Sequence, residues 1–238
     1  MTKKDIAIIT GASQGIGKAT SQRFQEAGWQ VYNLSRSPSP LPGVENCPID
    51  LQHSIAIEKL CESLRPKWEQ ASRICIIHNA SAYYRDSVAN LEPLQLQETL
   101  AVGLMAPILL NQQLLPLLQK KNGSSILYIG STLSEKAVAG AASYVILKHA
   151  VVGLMRSTCQ DLAGLGIHTA CICPGFTDTE LLQRHIGDKE KVWAALASRV
   201  SANRLIAPAE IGALLYFCAE NPVIDGSVLH AHLGQLEK

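Results

Sequence analysis

Seven short apolar runs rich in β-branched residues, set between longer stretches of helical spacing, limit this chain more tightly than any other feature. They are IAIIT, WQVYNLS, a weaker NCPID, ICIIHNA, SILYIGS, HTACICPG and SVLHAH. Strands that alternate with helices predict an α/β architecture, a parallel sheet with helices on both faces. Runs such as ICII are continuously apolar rather than alternating, as strands covered on both sides must be. No internal repeat or linker divides the sequence, so residues 1–238 read as a single domain, a length that α/β folds reach undivided. The loop-rich SRSPSPLPGVEN reads as a surface connection after the second strand. A second such stretch, PGFTDTELLQRHIGDKEK, follows a strand and precedes two short helical patterns.

The first run leads directly into Thr10-Gly11-Ala12-Ser13-Gln14-Gly15-Ile16-Gly17, which opens an amphipathic helix containing Ile16, Ala19, Thr20 and Phe24. Glycines there allow a tight turn and let backbone N–H groups approach a pyrophosphate at the positive end of the helix. A glycine turn that merely joins strand to helix is the alternative. The strand before and the helix after favour phosphate. The spacing is G-x-x-x-G-x-G.

A second constellation concerns proton transfer. Tyr144 and Lys148 lie four residues apart in SYVILKHA, about 400° around a helix, so phenol and ammonium share one face. A nearby positive charge favours phenolate and lowers a tyrosine pKa from about 10. Such a group can protonate a developing alkoxide or deprotonate an alcohol. Alone, Y-x-x-x-K occurs on many ordinary helices. Ser131, which ends SILYIGS, completes the candidate trio.

Together, TGASQGIG, Asp50, the triplet Asn79-Ala80-Ser81, Ser131, Tyr144 with Lys148, and Pro174-Gly175 resemble the short-chain dehydrogenases/reductases, from about residue 5 to residue 234. Ser131 stands thirteen residues before Tyr144, as is typical of that family. The resemblance implies a single Rossmann-type, doubly wound parallel sheet, a nicotinamide dinucleotide at its carboxyl edge, and homodimers or homotetramers built through helix pairs. It implies cofactor contacts from Gly11, Ser13, Gln14, Gly15, Ile16 and Gly17, from Asp50 and Leu51 near the adenine, and from Asn79, Ala80 and Ser81 on the ribose side. Pro174, Gly175, Thr177 and Thr179 would lie by the nicotinamide, with Thr179 on its carboxamide. Ser81 stands where the family more often has glycine, and its hydroxymethyl would crowd the site slightly.

In the implied mechanism Tyr144 is the general acid for carbonyl reduction, Ser131 polarises the carbonyl, and Lys148 holds the nicotinamide ribose while acidifying the phenol. One departure stands out: Gly103 occupies the place of a family asparagine whose backbone carbonyl holds a relay water. The α-helical partner of the Gly103 carbonyl would be residue 107, a proline without an N–H, so that oxygen is expected to be free to bind the water. The alternative is that Gly103 and Pro107 kink a packed helix. Asn111, two turns on, cannot stand in.

The second strand ends in Ser35-Arg36-Ser37 with no carboxylate. Aspartate or glutamate there would bind a 2′-hydroxyl and repel a 2′-phosphate, whereas arginine accommodates the phosphate, so NADP(H) is expected in preference to NAD(H). The alternative is a solvated Arg36 and bound NAD.

Lysine and arginine number 21 against 20 acidic residues, with no basic block, which leaves a nucleic-acid partner unsupported. No stretch is read as apolar enough to span a bilayer and the first apolar run is too short for a signal segment, so no membrane and a cytoplasmic location are expected. Seven scattered cysteines lack metal spacing, and no metal is expected; Cys171 and Cys173 read as packing. Tyr83 and Tyr84 could stack on a flat substrate or serve packing alone, and 176–199 reads as a lid containing His185 and Trp193. His78, His149 and His168 read as core residues. The sequence thus points to NADP(H)-linked hydride transfer on a small carbonyl or alcohol. The competing reading, prompted by Gly103, is a dinucleotide-binding regulator of the same fold.

Overall fold

Each of the seven apolar runs forms a strand. A computed structural model describes residues 3–185 and 189–235. The strands are β1 (Ile6–Thr10), β2 (Gln30–Ser35), β3 (Glu45–Pro48), β4 (Ile74–His78), β5 (Ser124–Ile129), β6 (Ile167–Pro174) and β7 (Ser227–Ala231). They make one sheet in the order β3-β2-β1-β4-β5-β6-β7, every neighbouring pair parallel. The order reverses between β1 and β4, which opens a crevice at the carboxyl ends of the strands, where such sheets bind ligands.

The helices are α1 (Gly15–Glu26), α2 (Ser54–Trp68), α3 (Pro93–Leu100), α4 (Ala106–Leu118), α5 (Ala142–Asp161), α6 (Glu180–His185), α7 (Lys189–Ala197) and α8 (Pro208–Glu220). Alternate residues of the central strands feed separate cores. On one face Ile8, Leu34, Ile76, Ile126 and Tyr128 pack with Trp68, Leu110, Leu114, Leu147 and Met155 of α2, α4 and α5. On the other, Ala7, Ile9, Val31, Ile77 and Leu127 meet Phe24, Ile211 and Leu215 of α1 and α8. Burial on both sides is why the strands read as unbroken apolar runs. All seven cysteines are free thiols.

Residues 101–105 form a π turn that joins α3 to α4. The Ala106 N–H donates to the Ala101 carbonyl, five residues back. The cause is Pro107, which has no N–H for either Val102 in the wider register or Gly103 in the α register. Widening one turn lets α4 begin afresh at Ala106, so that Pro107 falls in its first turn, where proline is tolerated. The outcome is one continuous helix, Pro93–Leu118, with a mean hydropathy of 1.5 in its most apolar window. This corrects the sequence expectation that no segment is long and apolar enough to cross a membrane. By length and composition this one is. Its Ala106, Leu110, Leu114, Leu117 and Leu118 are nevertheless buried in the domain core.

Candidate active site

The glycine turn after β1 is built as its sequence demands. Gly11 and Gly15 have φ of 69° and 54°, the left-handed region that glycine occupies without strain. A Cβ on Gly17 would lie 2.2 Å from the Gly11 carbonyl oxygen and 2.6 Å from Asn79 Nδ2, so no other residue fits. Asn79 donates from Nδ2 to the carbonyls of Thr10 and Gly11 at 2.9 and 3.0 Å, and Thr10 Oγ1 accepts from the backbone N–H groups of Asn79 and Ala80. Asn79 therefore ties the end of β4 to the turn. The first turn of α1 carries neither a side-chain cap nor an acidic residue, which leaves a positive helix end for an anion. These features fit a dinucleotide pyrophosphate. Ser13 and Gln14 lie in the same turn, half-buried.

Farther along the sheet edge, Ser35 ends β2 and Arg36 follows it, with Arg36 exposed and Ser35 Oγ donating to the Ser37 carbonyl. Asp50 accepts the Gln52 N–H at the entrance to α2, and Leu51 is buried. Ser81 points its hydroxyl to the Ala82 carbonyl.

A cavity of about 640 Å³ opens beside the turn. Ile16, Tyr83, Ser131, Tyr144, Pro174, Gly175, Thr177 and Thr179 all line it, so eight of the residues singled out in the sequence, apart from the lid, converge there. Ser131 caps the short turn Thr132–Ser134, its Oγ accepting from the Leu133 N–H at 3.1 Å. That bond uses a lone pair and leaves the Ser131 O–H available to donate into the cavity. Tyr144 lies half-buried in the first turn of α5, with the Tyr83 ring edge-on at 5.3 Å. Lys148 is buried behind it, its Nζ 2.7 Å from the Ile129 carbonyl and 5.3 Å from the Tyr144 ring centroid. Thr179 caps α6 through its hydroxyl and rests its methyl against Gly15. Thr177 donates to the Gly175 carbonyl.

Gly103 is not among the cavity-lining residues. A Cβ there would lie 2.5 Å from Cδ2 of Leu147, so the space of a side chain at this position is filled by α5. Asn111 is engaged elsewhere, holding His78 Nε2 at 2.8 Å and donating to the Tyr128 hydroxyl at 2.7 Å. Of the sequence-derived lid, Phe176, Leu181, Leu182, Val192 and Leu196 give the cavity an apolar wall. Trp193 faces a separate groove with Asp178 and Arg204, and the side chain of His185 lies outside the described residues. Cys171 and Cys173 pack beneath Gly130, Sγ to Sγ 3.9 Å, as expected of core residues.

Sequence reasoning missed several contributors. Leu133 and Val138, from the loop after β5, complete the apolar wall, and Gln235 reaches the cavity from the chain's end through an antiparallel bridge with Val200. Asp86 was missed as well. Its carboxylate accepts the Ser143 N–H of α5, a contact across 57 positions with no local signal.

Similarity to known proteins agrees with this geometry. The 3-oxoacyl-(acyl-carrier-protein) reductase FabG of Salmonella typhimurium is 24% identical over 239 residues, covering 96% of each chain. Among solved structures, ligand-free aldohexose dehydrogenase of Thermoplasma acidophilum superposes with a TM-score of 0.90 at 23% identity, covering 98% of this chain and 94% of that one. A 3-oxoacyl (acyl-carrier-protein) reductase of Agrobacterium tumefaciens with NADP bound gives 0.86 at 23% identity, with the same coverage. The family model described as short chain dehydrogenase matches residues 5–190, a span that includes the glycine turn, Ser131, Tyr144 and Lys148. The chain belongs to the short-chain dehydrogenase family of oxidoreductases.

Proposed function

We propose that the protein is an NADP(H)-dependent carbonyl reductase or alcohol dehydrogenase in which Tyr144 is the general acid and base. The observation that carries this reading is the convergence of Ser131 and Tyr144 on one cavity at the carboxyl edge of the sheet, with the Lys148 ammonium buried behind the phenol. A bound nicotinamide supplies or accepts the hydride. Ser131 donates its free O–H to the substrate oxygen, and Tyr144 delivers the proton that turns that oxygen into a hydroxyl. Lys148 has three donors and spends one on Ile129, leaving two for a ribose and for supporting negative charge on the phenol oxygen. The Gly103 carbonyl enters the scheme as holder of a relay water to Lys148. A high-resolution holo structure without water between them would remove that step.

Preference for NADP(H) rests on Arg36 and on the absence of a carboxylate at the end of β2. NADP in the related Agrobacterium structure supports it. The apolar wall of the cavity favours a carbonyl compound with a hydrophobic body. We place the enzyme in the cytoplasm, as a homodimer or homotetramer.

The test is a panel of aldehydes, ketones, quinones and pterins, assayed separately with NADPH and NADH. Turnover is expected with NADPH in preference, and Tyr144→Phe should lower kcat at least about 10²-fold while NADPH still binds. No turnover of any carbonyl would favour the regulator. Equal use of both cofactors would remove the NADP(H) assignment.

A further inference from the structure

We propose that Asp86 is a positioning residue for the proton donor, anchoring the N-terminus of α5 so that Tyr144 faces the reacting oxygen. The inference rests on the reductase reading and extends it to a residue outside the cavity.

Helix α5 begins without a cap of its own. Its N-cap residue is Ala141, which has no side chain able to accept from the first turn, and no acidic residue lies in that turn. The missing acceptors come from the loop after β4. Asp86 Oδ1 accepts the Ser143 N–H at 3.1 Å, the Asp86 carbonyl accepts the Ala142 N–H at 3.4 Å, and Asp86 forms a parallel bridge with Ala141. Two of the orphan N–H groups are thereby satisfied by one distant residue. Tyr144 is the next residue along. The same loop carries Tyr83, whose ring meets the Tyr144 ring edge-on, so a stretch of four residues touches the tyrosine at its ring and at its helix end.

This arrangement is expensive as a mere helix cap. Asp86 is 3% exposed, and its Oδ2 has no hydrogen-bond partner among the described residues. A buried carboxylate with one oxygen unanswered costs stability, offset only in part by the positive end of the helix. A serine at position 141, itself buried, would offer the first turn an acceptor without burying a charge. What the remote carboxylate adds is a fixed distance between the β4 loop and the first turn of α5. Fixing that distance matters because a displacement of about 1 Å at a reacting group can cost about 10² in rate.

Asp86→Ala, compared with wild type on a carbonyl that wild type reduces, should lose about 10- to 100-fold in kcat while the Kd for NADPH changes by less than about threefold. Asp86→Asn keeps the acceptor and should remain within about threefold of wild type in kcat. Wild-type kcat in Asp86→Ala, or an equal loss of NADPH affinity, would overturn the proposal. Should Asp86→Ala fail to fold, Asp86→Glu moves the same carboxylate by one methylene and should lower kcat about 10-fold with NADPH binding retained; undiminished kcat would refute the role. A wild-type enzyme that turns over no carbonyl is a failure of the reductase reading. Hydrogen exchange over 142–148 then decides the anchor: faster exchange in Asp86→Ala supports it and unchanged exchange overturns it.

Discussion

His78 shows how a residue dismissed as core matter can govern stability. It is buried, and desolvation pushes its imidazole down to about 4, against which the Asn111 hydrogen bond works only partly. Between pH 6.5 and 4 the unfolded chain takes up a proton at this site that the folded protein refuses. Stability must therefore fall as the pH drops through that window, by about 3 kcal/mol at pH 4. Urea unfolding of wild type and His78→Gln at pH 7 and pH 4 should show the acid loss shrinking by that amount in the variant; identical losses would show that His78 is not responsible. The sequence indicated that this histidine sits in an apolar strand. It could not show that Asn111 and Tyr128, from α4 and β5, complete its surroundings. Ser131, Tyr144, Lys148 and the glycine turn were legible because their chemistry needs fixed local spacings. Asp86 and Gln235 were not, because each acts on a segment far away in the chain.

At the scale of elements, the α3–α4 segment is where reading the sequence came closest to the physics without reaching the geometry. Pro107 and Gly103 announced an irregularity, and either a free carbonyl or a kink was expected. The chain inserts a π turn there and continues as one helix, which is not the kinked packed helix, and the free Gly103 carbonyl stays part of the proposal. Gly103 has a further reason that only the folded structure shows, the close approach of Leu147 from α5. Gly103→Ala should destabilise by about 1–3 kcal/mol through overpacking, since its Cβ would meet the fully buried side chain of Leu147. Leu147→Ala opens a cavity and is itself destabilising, yet the double variant should recover part of the Gly103→Ala loss. Thermal melts of the two single variants and the double variant measure the coupling, and strict additivity would contradict the contact. Six strands were legible as apolar runs bounded by turn residues, whereas β3, Glu45–Pro48, was only weakly so, because Cys47 alone of its four residues is buried.

For the whole molecule, the long helix Pro93–Leu118 has both a buried side and an uncovered one. Met105 on its π turn and Ile146 on α5 are 49% and 45% exposed, large apolar groups that a second copy could cover. Light scattering on the purified protein should report a dimer or tetramer, and Met105→Glu with Ile146→Glu should shift it toward monomer; a monomeric wild type would refute assembly through these residues. Because every strand runs in the same direction, the carboxyl ends and the candidate site share one rim, and the opposite rim carries Lys3, Lys4, Arg73, Lys120 and Gly123. Anchoring the molecule to a solid support through the exposed amines of that far rim should present every cleft to the bulk solution in the same orientation.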